Sequence, residues 1–255
     1  MKMLFKSILH YCNYSCRILN IFFVITLVVG FSSCEMDSDE EEVKVIETGT
    51  VTDASGVTYK TVKIGGQWWM AEDLKTTVYR DGSPVTQSQA PAAWTTDQEG
   101  YCIFDNNSAA PGLLYNWYAV IDSRNVAPQG WRVPTDQDWK ILEQYLGMSS
   151  ADTDKTGWRG SNQGEQLKSK GTTGWQRYGD VWPTNSSGFT ALAGGSRLPN
   201  AIFGNPGLFS TGFWWSLSEK NDEEAWYRHL DYKSKNIFRY HSDKNYGFSI
   251  RCIKE

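Results

Sequence analysis

The sequence predicts an α+β fold, and three observations point to that class. The 255 residues include 12 tryptophans and 23 glycines, a composition that favours short strands, frequent turns and a core of large aromatic rings. Only residues 136–146 have the spacing of apolar side chains that is typical of an amphipathic helix. Beyond residue 211, short β-prone runs alternate with turn residues, so helices are expected early and strands late.

A β-hairpin is predicted at the start of the folded region. Residues 53–56, DASG, are a turn signal between two β-prone runs, residues 50–52 and 57–64. A glycine pair then marks a second turn, and residues 67–70, QWWM, predict a third strand.

The middle of the chain contains the helical signals. Residues 113–120, LLYNWYAV, predict a short helix. The clearest helix covers residues 136–146, because Thr135 is placed to cap its first turn and Asp138 can complete a capping box. Its apolar face is expected to consist of Trp139, Leu142 and Leu146, with Tyr145 alongside.

The second half of the domain is predicted to contain long loops followed by strands. In residues 147–206, Gly, Ser, Asn and Thr separate isolated aromatic residues, a pattern typical of loops. Consecutive antiparallel strands are expected after them, at residues 212–216, 225–231, 237–240 and 247–253.

The first 33 residues predict a lipoprotein signal peptide. The only charges before residue 34 are positive, at Lys2, Lys6 and Arg17. The apolar run of residues 18–31 would span about 21 Å as a helix, which is too short for a bilayer core and typical of an export signal. Residues 31–34, FSSC, resemble a lipobox, so cleavage before Cys34 and lipidation of its thiol are expected. An ordinary signal peptide with a nearby cysteine is the alternative.

Residues 34–48 are predicted to be a solvated tether between the lipid and the domain. Six acidic residues occur within residues 35–42, and such a run repels itself and buries nothing. It resembles the acidic patch that directs lipoproteins of some Gram-negative groups to the outer face of the outer membrane. We therefore expect a lipid anchor in the outer membrane and a domain exposed at the cell surface. A periplasm-facing domain on a plain flexible linker is the alternative.

The remaining residues, 49–255, are predicted to form one domain. Subtracting three N-terminal cations and six tether carboxylates from the totals of 25 and 29 leaves 22 basic and 23 acidic side chains in residues 43–255. A nearly neutral domain lacks the excess of positive charge that is typical of nucleic-acid-binding domains, so nucleic-acid binding is not expected.

Two cysteines remain for the domain. Cys12 and Cys16 would leave with the signal peptide and Cys34 would carry the lipid, which leaves Cys102 and Cys252. An even pair in an exported chain predicts one disulfide bond. Two buried free thiols are the alternative.

Five sequence blocks resemble the Fibrobacter succinogenes major paralogous domain family. In chain order they are residues 62–74 (VKIGGQWWMAEDL), 114–117 (LYNW), 127–135 (APQGWRVPT), 185–189 (NSSGF) and 247–252 (GFSIRC). The resemblance covers residues 49–253, and one departure is Asp73, where the family usually has asparagine. The family has no established catalytic activity, so the resemblance implies a fold rather than a reaction.

Residues 131–139, WRVPTDQDW, are also similar to the start of a helix in the formylglycine-generating enzyme group. That similarity implies a C-type-lectin-like α+β fold, with small antiparallel sheets, two short helices and long loops. The oxidases of this group hold copper with a pair of active-site cysteines. Cys102 and Cys252 do not match such a pair, since one lies in the terminal strand and the other far upstream, so the similarity does not imply the reaction.

Catalytic and metal-binding patterns are scarce in the sequence. It contains no HExxH zinc motif and no GxSxG nucleophile motif. His229 lies in a strand-like alternation and is predicted to pack rather than to act as a base. Residues 105–107 and 221–224 carry oxygen-bearing side chains, which we interpret as turns rather than calcium ligands. No metal, cofactor or catalytic residue is predicted, and an uncharacterised enzyme is only the third hypothesis.

Aromatic side chains in loops are the remaining functional candidates. Trp94, Tyr178 and Trp182 lie among polar loop residues, and sugar rings present apolar C–H faces that stack on such side chains. These three are predicted to form a binding platform, with folding back over the core as the alternative. The predicted function is a non-catalytic binding or adhesion module for a glycan or an envelope protein. A structural or fimbria-associated envelope protein without a soluble ligand is the alternative.

Overall fold

The computed structural model of the protein describes residues 46–88, 94, 97–107, 109–171, 174–204 and 208–255. These residues belong to one compact unit, Lys44–Glu255. The predicted signal peptide, the predicted lipidation site Cys34 and the acidic residues of the tether lie outside the described residues.

Short strands and short helices follow one another along the described chain. In order they are β1 (Thr48–Thr52), β2 (Thr58–Ile64), β3 (Gln67–Met70), β4 (Tyr101–Cys102), β5 (Leu114–Tyr115), α1 (Trp117–Ile121), β6 (Trp131–Arg132), α2 (Asp136–Tyr145), α3 (Ser150–Thr153), β7 (Gly157–Arg159), α4 (Gln163–Leu167), β8 (Thr211–Glu219), β9 (Glu224–Asp231), β10 (Ile237–Asp243) and β11 (Ile253–Lys254).

The first sheet has five antiparallel strands in the order β1-β2-β3-β11-β6. The predicted N-terminal hairpin is confirmed, with Thr52 of β1 opposite Thr58 of β2. Asp53 holds the turn between them, because its Oδ1 accepts the backbone N–H groups of Ser55 (2.8 Å) and Val57 (3.0 Å). Side-chain bonds of this kind make aspartate a common turn residue.

The second sheet has four antiparallel strands in the order β7-β10-β9-β8, and β4 and β5 form a separate pair. The strands predicted at residues 212–216, 225–231 and 237–240 are confirmed, since these ranges lie within β8, β9 and β10.

The prediction of one continuous strand at residues 247–253 is wrong, because this segment crosses from one sheet to the other. Phe248 makes a single antiparallel bridge to Tyr115, and Ser249 makes a single parallel bridge to Trp214. Only the end of the segment continues into a strand, β11, which pairs with β3 and β6 in the first sheet. In the second sheet, β10 pairs with β7 rather than with a strand formed by residues 247–253.

The predicted amphipathic helix is confirmed as α2. Thr135 Oγ1 accepts the Asp138 N–H (3.2 Å) and the Asp138 carboxylate accepts the Thr135 N–H (2.7 Å), which completes the capping box. Trp139, on the buried face of the helix, lies 4.9 Å from Trp69 of β3 and 5.8 Å from Phe189 between ring centroids. Aromatic packing therefore holds α2 against the first sheet.

Charged side chains join α2 to the second sheet. Asp136 accepts hydrogen bonds from Arg228 (2.7 Å) and Arg239 (2.8 Å). Glu143 accepts hydrogen bonds from Arg228 (2.6 Å) and Arg159 (2.9 Å). Burial alone would raise the pKa of Asp136, but the two guanidinium groups beside it hold that pKa well below its ordinary value. The network ties one helix to three strands through buried, paired charges.

The other helices are short and differ from the sequence prediction. The helix predicted at residues 113–120 is correct only in its second half: β5 occupies the first part, and α1 begins at Trp117. Asn116 caps α1 by accepting the Ala119 N–H (3.2 Å). The predicted loop region, residues 147–206, contains α3, β7 and α4. Antiparallel sheets with a few short helices confirm the α+β class.

Candidate functional site

A cleft lies at the surface of the loop region that follows α4 in the chain. It has a volume of about 280 Å³, and its lining consists of Lys170, Gly171, Trp175, Gln176, Arg177, Val181, Trp182 and Pro183. Aromatic and aliphatic side chains form the greater part of this lining, with one amide and two cations among them. A mostly apolar cleft with a few polar groups is the usual form of a ligand site.

A tight turn and α4 hold the backbone of the cleft. Tyr178 and Val181 form an antiparallel bridge around the turn. Gly179, inside the turn, has φ of +50°, a conformation that glycine adopts without strain. Glu165 of α4 fixes the segment that leaves the turn, because its carboxylate accepts the Trp182 backbone N–H (2.7 Å).

Two of the three aromatic residues predicted to form a binding platform are exposed on this hairpin. Trp182 is 56% exposed, and the Arg177 guanidinium lies 4.4 Å from the centre of its ring. Tyr178 is 50% exposed, and its ring meets Tyr232 edge-on at 5.7 Å. Lys233 Nζ lies 5.5 Å from the centre of the Tyr178 ring. Both aromatic residues therefore have a cation as a close neighbour.

Trp175 forms a buried wall of the cleft. Its Nε1–H donates to the carbonyl oxygen of Ala191 (2.8 Å). Lys168 Nζ lies 5.1 Å from the centre of the Trp175 ring and donates to the carbonyl oxygens of Asp231 (2.6 Å) and Ser234 (2.5 Å). Burial lowers the pKa of Lys168 to about 8. Hydrogen bonds thus fix this side of the cleft in place.

The charged groups of the cleft are all positive. Lys170 and Arg177 belong to its described lining, which contains no carboxylate. Two acidic side chains nearby are engaged elsewhere, since Glu165 accepts a backbone N–H (2.7 Å) and Asp180 binds Lys235 (2.7 Å). Arg177 was not predicted from the sequence, although it directly precedes a predicted site residue.

Trp94, the third predicted platform residue, is buried in the core, so that prediction is wrong. Its Nε1–H donates to the carbonyl oxygen of Asn245, and the Arg197 guanidinium lies 4.1 Å from the centre of its ring. The buried residues that share its cluster are Cys102, Phe104 and Leu114. A tryptophan in a polar loop folds over the core because its ring buries a large apolar area.

The predicted disulfide is also wrong, because Cys102 and Cys252 are free, buried thiols. Cys102 lies in β4 opposite Leu114 and belongs to the cluster around Trp94. Cys252 precedes β11 in the first sheet, where its carbonyl oxygen accepts the Met70 N–H (2.9 Å), and its side chain belongs to a different hydrophobic cluster. Burial raises the pKa of Cys102 to about 11 and also raises the pKa of Cys252.

His229 is confirmed as a packing residue of the second sheet. Its ring stacks on Phe213, with 4.2 Å between centroids and 16° between planes, and lies 5.2 Å from Trp158. Burial between these rings lowers the pKa of His229 to about 4. The imidazole is therefore neutral at physiological pH.

The clustered oxygen-bearing side chains form turns, as predicted. Asn221 Oδ1 accepts the backbone N–H groups of Glu223 (2.9 Å) and Glu224 (2.8 Å), and Phe104–Asn106 is a 3-10 turn. Within the described residues, no group of three or more His, Cys, Asp or Glu side chains is placed to hold a metal ion. In the same part of the chain, no helix has both the length and the apolar character needed to cross a membrane.

Comparison with known proteins assigns the domain to a family. Residues 62–254 match the Fibrobacter succinogenes major domain. The chain belongs to this family. Its Fibrobacter succinogenes major domain contains all five sequence blocks, the helix α2 and the whole cleft around Trp182. No curated protein and no solved structure matches the chain.

Proposed function

We propose that the protein is a non-catalytic, surface-tethered lipoprotein that binds a glycan in the cleft beside Trp182. The exposed indole of Trp182 carries this proposal, because it borders a mostly apolar cleft with Trp175 in its wall. The C–H faces of a sugar stack on indole surfaces, and the Gln176 amide both donates hydrogen bonds to hydroxyl groups and accepts them. The volume of about 280 Å³ is near the lower end of ligand pockets, roughly 300 Å³, which suits one terminal sugar unit.

A C-type-lectin-like fold is part of the same proposal. The similarity of residues 131–139 to the formylglycine-generating enzyme group supports it. So does the arrangement of the domain, in which small antiparallel sheets and α2 carry a long loop region with described residues 168–171, 174–204 and 208–210. The cleft lies in that loop region, where a ligand site can vary without disturbing the core.

Glycan binding is tested on a glycan array with the full-length protein in detergent. The variants are Trp182→Ala, Tyr178→Ala and a matched control, Trp158→Ala, which removes another exposed indole, 44% exposed, from β7. Loss of the stacking surface in Trp182→Ala should weaken binding roughly tenfold, whereas the control should bind like the wild type. A wild type that binds no glycan, or equal binding by both tryptophan variants, would contradict the proposal.

The lipid anchor is a prediction from Cys34 and the acidic run that follows it. Cys34→Ala should leave an unprocessed precursor that is not labelled by a fatty-acid analogue. Protease added to intact cells should remove the domain, and replacing Glu40, Glu41 and Glu42 by glutamine should reduce that removal. A Cys34→Ala protein that still labels and floats with membranes contradicts the anchor, and full protection of the wild type contradicts surface display.

Assembly within the cell envelope is a second candidate function, and the outer face of the second sheet supports it. Phe238 lies 5.2 Å from Trp158 and 5.8 Å from His229 between ring centroids, and Trp158 and Tyr240 are 44% and 42% exposed. The edge strand β1 is also exposed, and edge strands can pair with another chain. Sedimentation discriminates the two candidates: Trp158→Ala should reduce self-association if this face assembles, whereas Trp182→Ala should not.

A further inference from the structure

The side chains that line the cleft donate hydrogen bonds but hardly accept them. Lys170 and Arg177 are donors only, and Gln176 is the one side chain of the described lining with an acceptor. The Trp182 indole is also a donor only, whereas the Trp175 N–H already donates to the carbonyl oxygen of Ala191. The hydroxyl groups of a neutral sugar use both donors and acceptors. A carboxylate or sulfate group only accepts hydrogen bonds, so an oxyanion fits this lining better than a set of hydroxyl groups does.

We infer that the cleft binds an acidic sugar, and that Arg177 binds the carboxylate or sulfate group of that sugar. This inference rests on the proposed function, since it specifies the ligand class of the same cleft. The apolar remainder of the sugar would lie against the two indoles of the lining, Trp175 and Trp182.

Arg177 is already positioned for an oxyanion. Its guanidinium lies 4.4 Å from the centre of the Trp182 ring, a stacking distance at which the N–H edge stays available for hydrogen bonds. No carboxylate among the described residues lies within ion-pair distance of Arg177. A guanidinium without an ion-pair partner can form two parallel hydrogen bonds with a carboxylate or sulfate.

The electrostatic surroundings also favour an anion. The described lining contributes the positive charges of Lys170 and Arg177 without an opposing carboxylate. Asp180, the acidic residue in the turn, is paired with Lys235 (2.7 Å). Glu165 keeps its negative charge beside the Trp182 backbone N–H, so the two cations of the lining together with this carboxylate leave a net positive charge of one. The Debye length is about 8 Å at physiological ionic strength, so an oxyanion inside the cleft is attracted by both cations of the lining.

Titration calorimetry with the full-length protein in detergent tests this inference on matched probe pairs. The probes are oligosaccharides of galacturonic acid and of glucuronic acid with their methyl esters, and a sulfated galactan oligosaccharide with its unsulfated form. The variants are Arg177→Gln, Lys170→Gln and a control, Lys60→Gln, which removes an exposed cation from β2. Comparison of the uronic acid and sulfate pairs identifies which oxyanion the cleft recognises.

We expect the acidic member of at least one pair to bind roughly tenfold more tightly than its neutral partner, because hydrogen bonds between charged groups are strong. Arg177→Gln should remove that advantage without changing the affinity for the neutral partner, and Lys170→Gln should reduce the advantage. Lys60→Gln should bind like the wild type. Because Arg177 is exposed, its variant should keep the melting temperature of the wild type.

Three outcomes would overturn the inference. If acidic and neutral partners bind equally and Trp182→Ala weakens both, the cleft is a neutral-glycan site, and the proposed function stands without this inference. Equal losses in Arg177→Gln and Lys60→Gln would indicate general electrostatic attraction instead of a site. Failure of every acidic and neutral probe to bind, on the array as well, would contradict both the inference and the proposed function.

Discussion

Arg251 and Asp73 form a fully buried ion pair, in which Arg251 Nε and Nη2 both donate to Asp73 Oδ1, at 2.9 and 2.6 Å. Trp214 Nε1 donates to the same oxygen (2.9 Å). The two paired residues lie in the first and the last of the five family sequence blocks, so the pair joins distant parts of the chain. Asp73 thus supplies a counter-charge for a buried guanidinium.

Asp73→Ala should destabilise the protein more than Asp73→Asn. Alanine leaves the Arg251 guanidinium buried without a counter-charge, with only the backbone carbonyl oxygens of Phe189 and Thr190 as acceptors. A loss of about 3–5 kcal/mol is typical when one partner of a buried ion pair is removed. Asparagine keeps the Oδ1 acceptor, and Asp73 Oδ2 has no hydrogen-bond partner among the described residues. Urea denaturation measures both free energies of unfolding, and equal losses would show that the shared oxygen is unimportant.

The sequence pattern predicted correctly those elements that are stabilised by interactions between residues close along the chain. Asp53 closes its turn through bonds to Ser55 and Val57, close along the chain, and the capping box of α2 is equally short, so the sequence pattern contains the whole interaction. Residues 247–253 also have a strand-like pattern. Their bridging partners are distant in sequence, and a pattern of period two does not indicate which sheet a strand joins.

The candidate site could be predicted only in part, for the same reason. Tyr178 and Trp182 are exposed, as their polar neighbours in sequence indicated. Trp94 has neighbours of the same kind, but it is enclosed by Phe104 and Leu114, which come together only when β4 pairs with β5. The residues around a tryptophan in sequence therefore do not distinguish an exposed platform from a lid over the core.

Alanine variants of Trp94 and Trp182 should distinguish a core tryptophan from an exposed one by their free energies of unfolding. Trp94→Ala removes a fully buried ring and should lower the free energy of unfolding by about 3–5 kcal/mol. Trp182→Ala removes a ring that is 56% exposed and should change it by less than about 1 kcal/mol. Chemical denaturation of both variants checks this, and a similar loss in each would contradict the burial difference between them.

Acid should destabilise the protein through His229. Burial lowers its pKa in the folded state to about 4, whereas the unfolded chain has a histidine pKa of about 6.5. Above pH 6.5 the ring is neutral in both states. As the pH falls from 6.5 to 4, the unfolded state binds the proton first, so the free energy of unfolding decreases by about 2.5 kcal/mol.

His229→Phe isolates this contribution. Phenylalanine keeps a ring that can stack on Phe213 but cannot take up a proton, so the variant should lose less stability than the wild type between pH 7 and pH 4.5. Carboxylates titrate alike in both proteins, so the difference between the two pH profiles belongs to the histidine. Parallel profiles from urea denaturation would show that His229 titrates normally in the folded state.

Cys102 and Cys252 should resist alkylation in the folded protein and react fully after unfolding. The thiolate is the reactive form, and burial raises the pKa of both thiols, to about 11 for Cys102. At pH 8 the thiolate fraction of Cys102 is then on the order of 10⁻³, and both side chains are closed to the reagent. Iodoacetamide should therefore modify neither in the native protein, and both after unfolding in urea without a reductant.

Mass spectrometry of non-reduced digests provides the decisive measurement for these two cysteines. Two free peptides are expected, because the thiols belong to different hydrophobic clusters. A disulfide closing a loop of this length would contribute about 4–5 kcal/mol in the chain-entropy treatment. Since free thiols make no such contribution, dithiothreitol should leave the melting temperature unchanged. Recovery of a linked Cys102–Cys252 peptide, together with a lower melting temperature under reduction, would show that the native protein carries the disulfide after all.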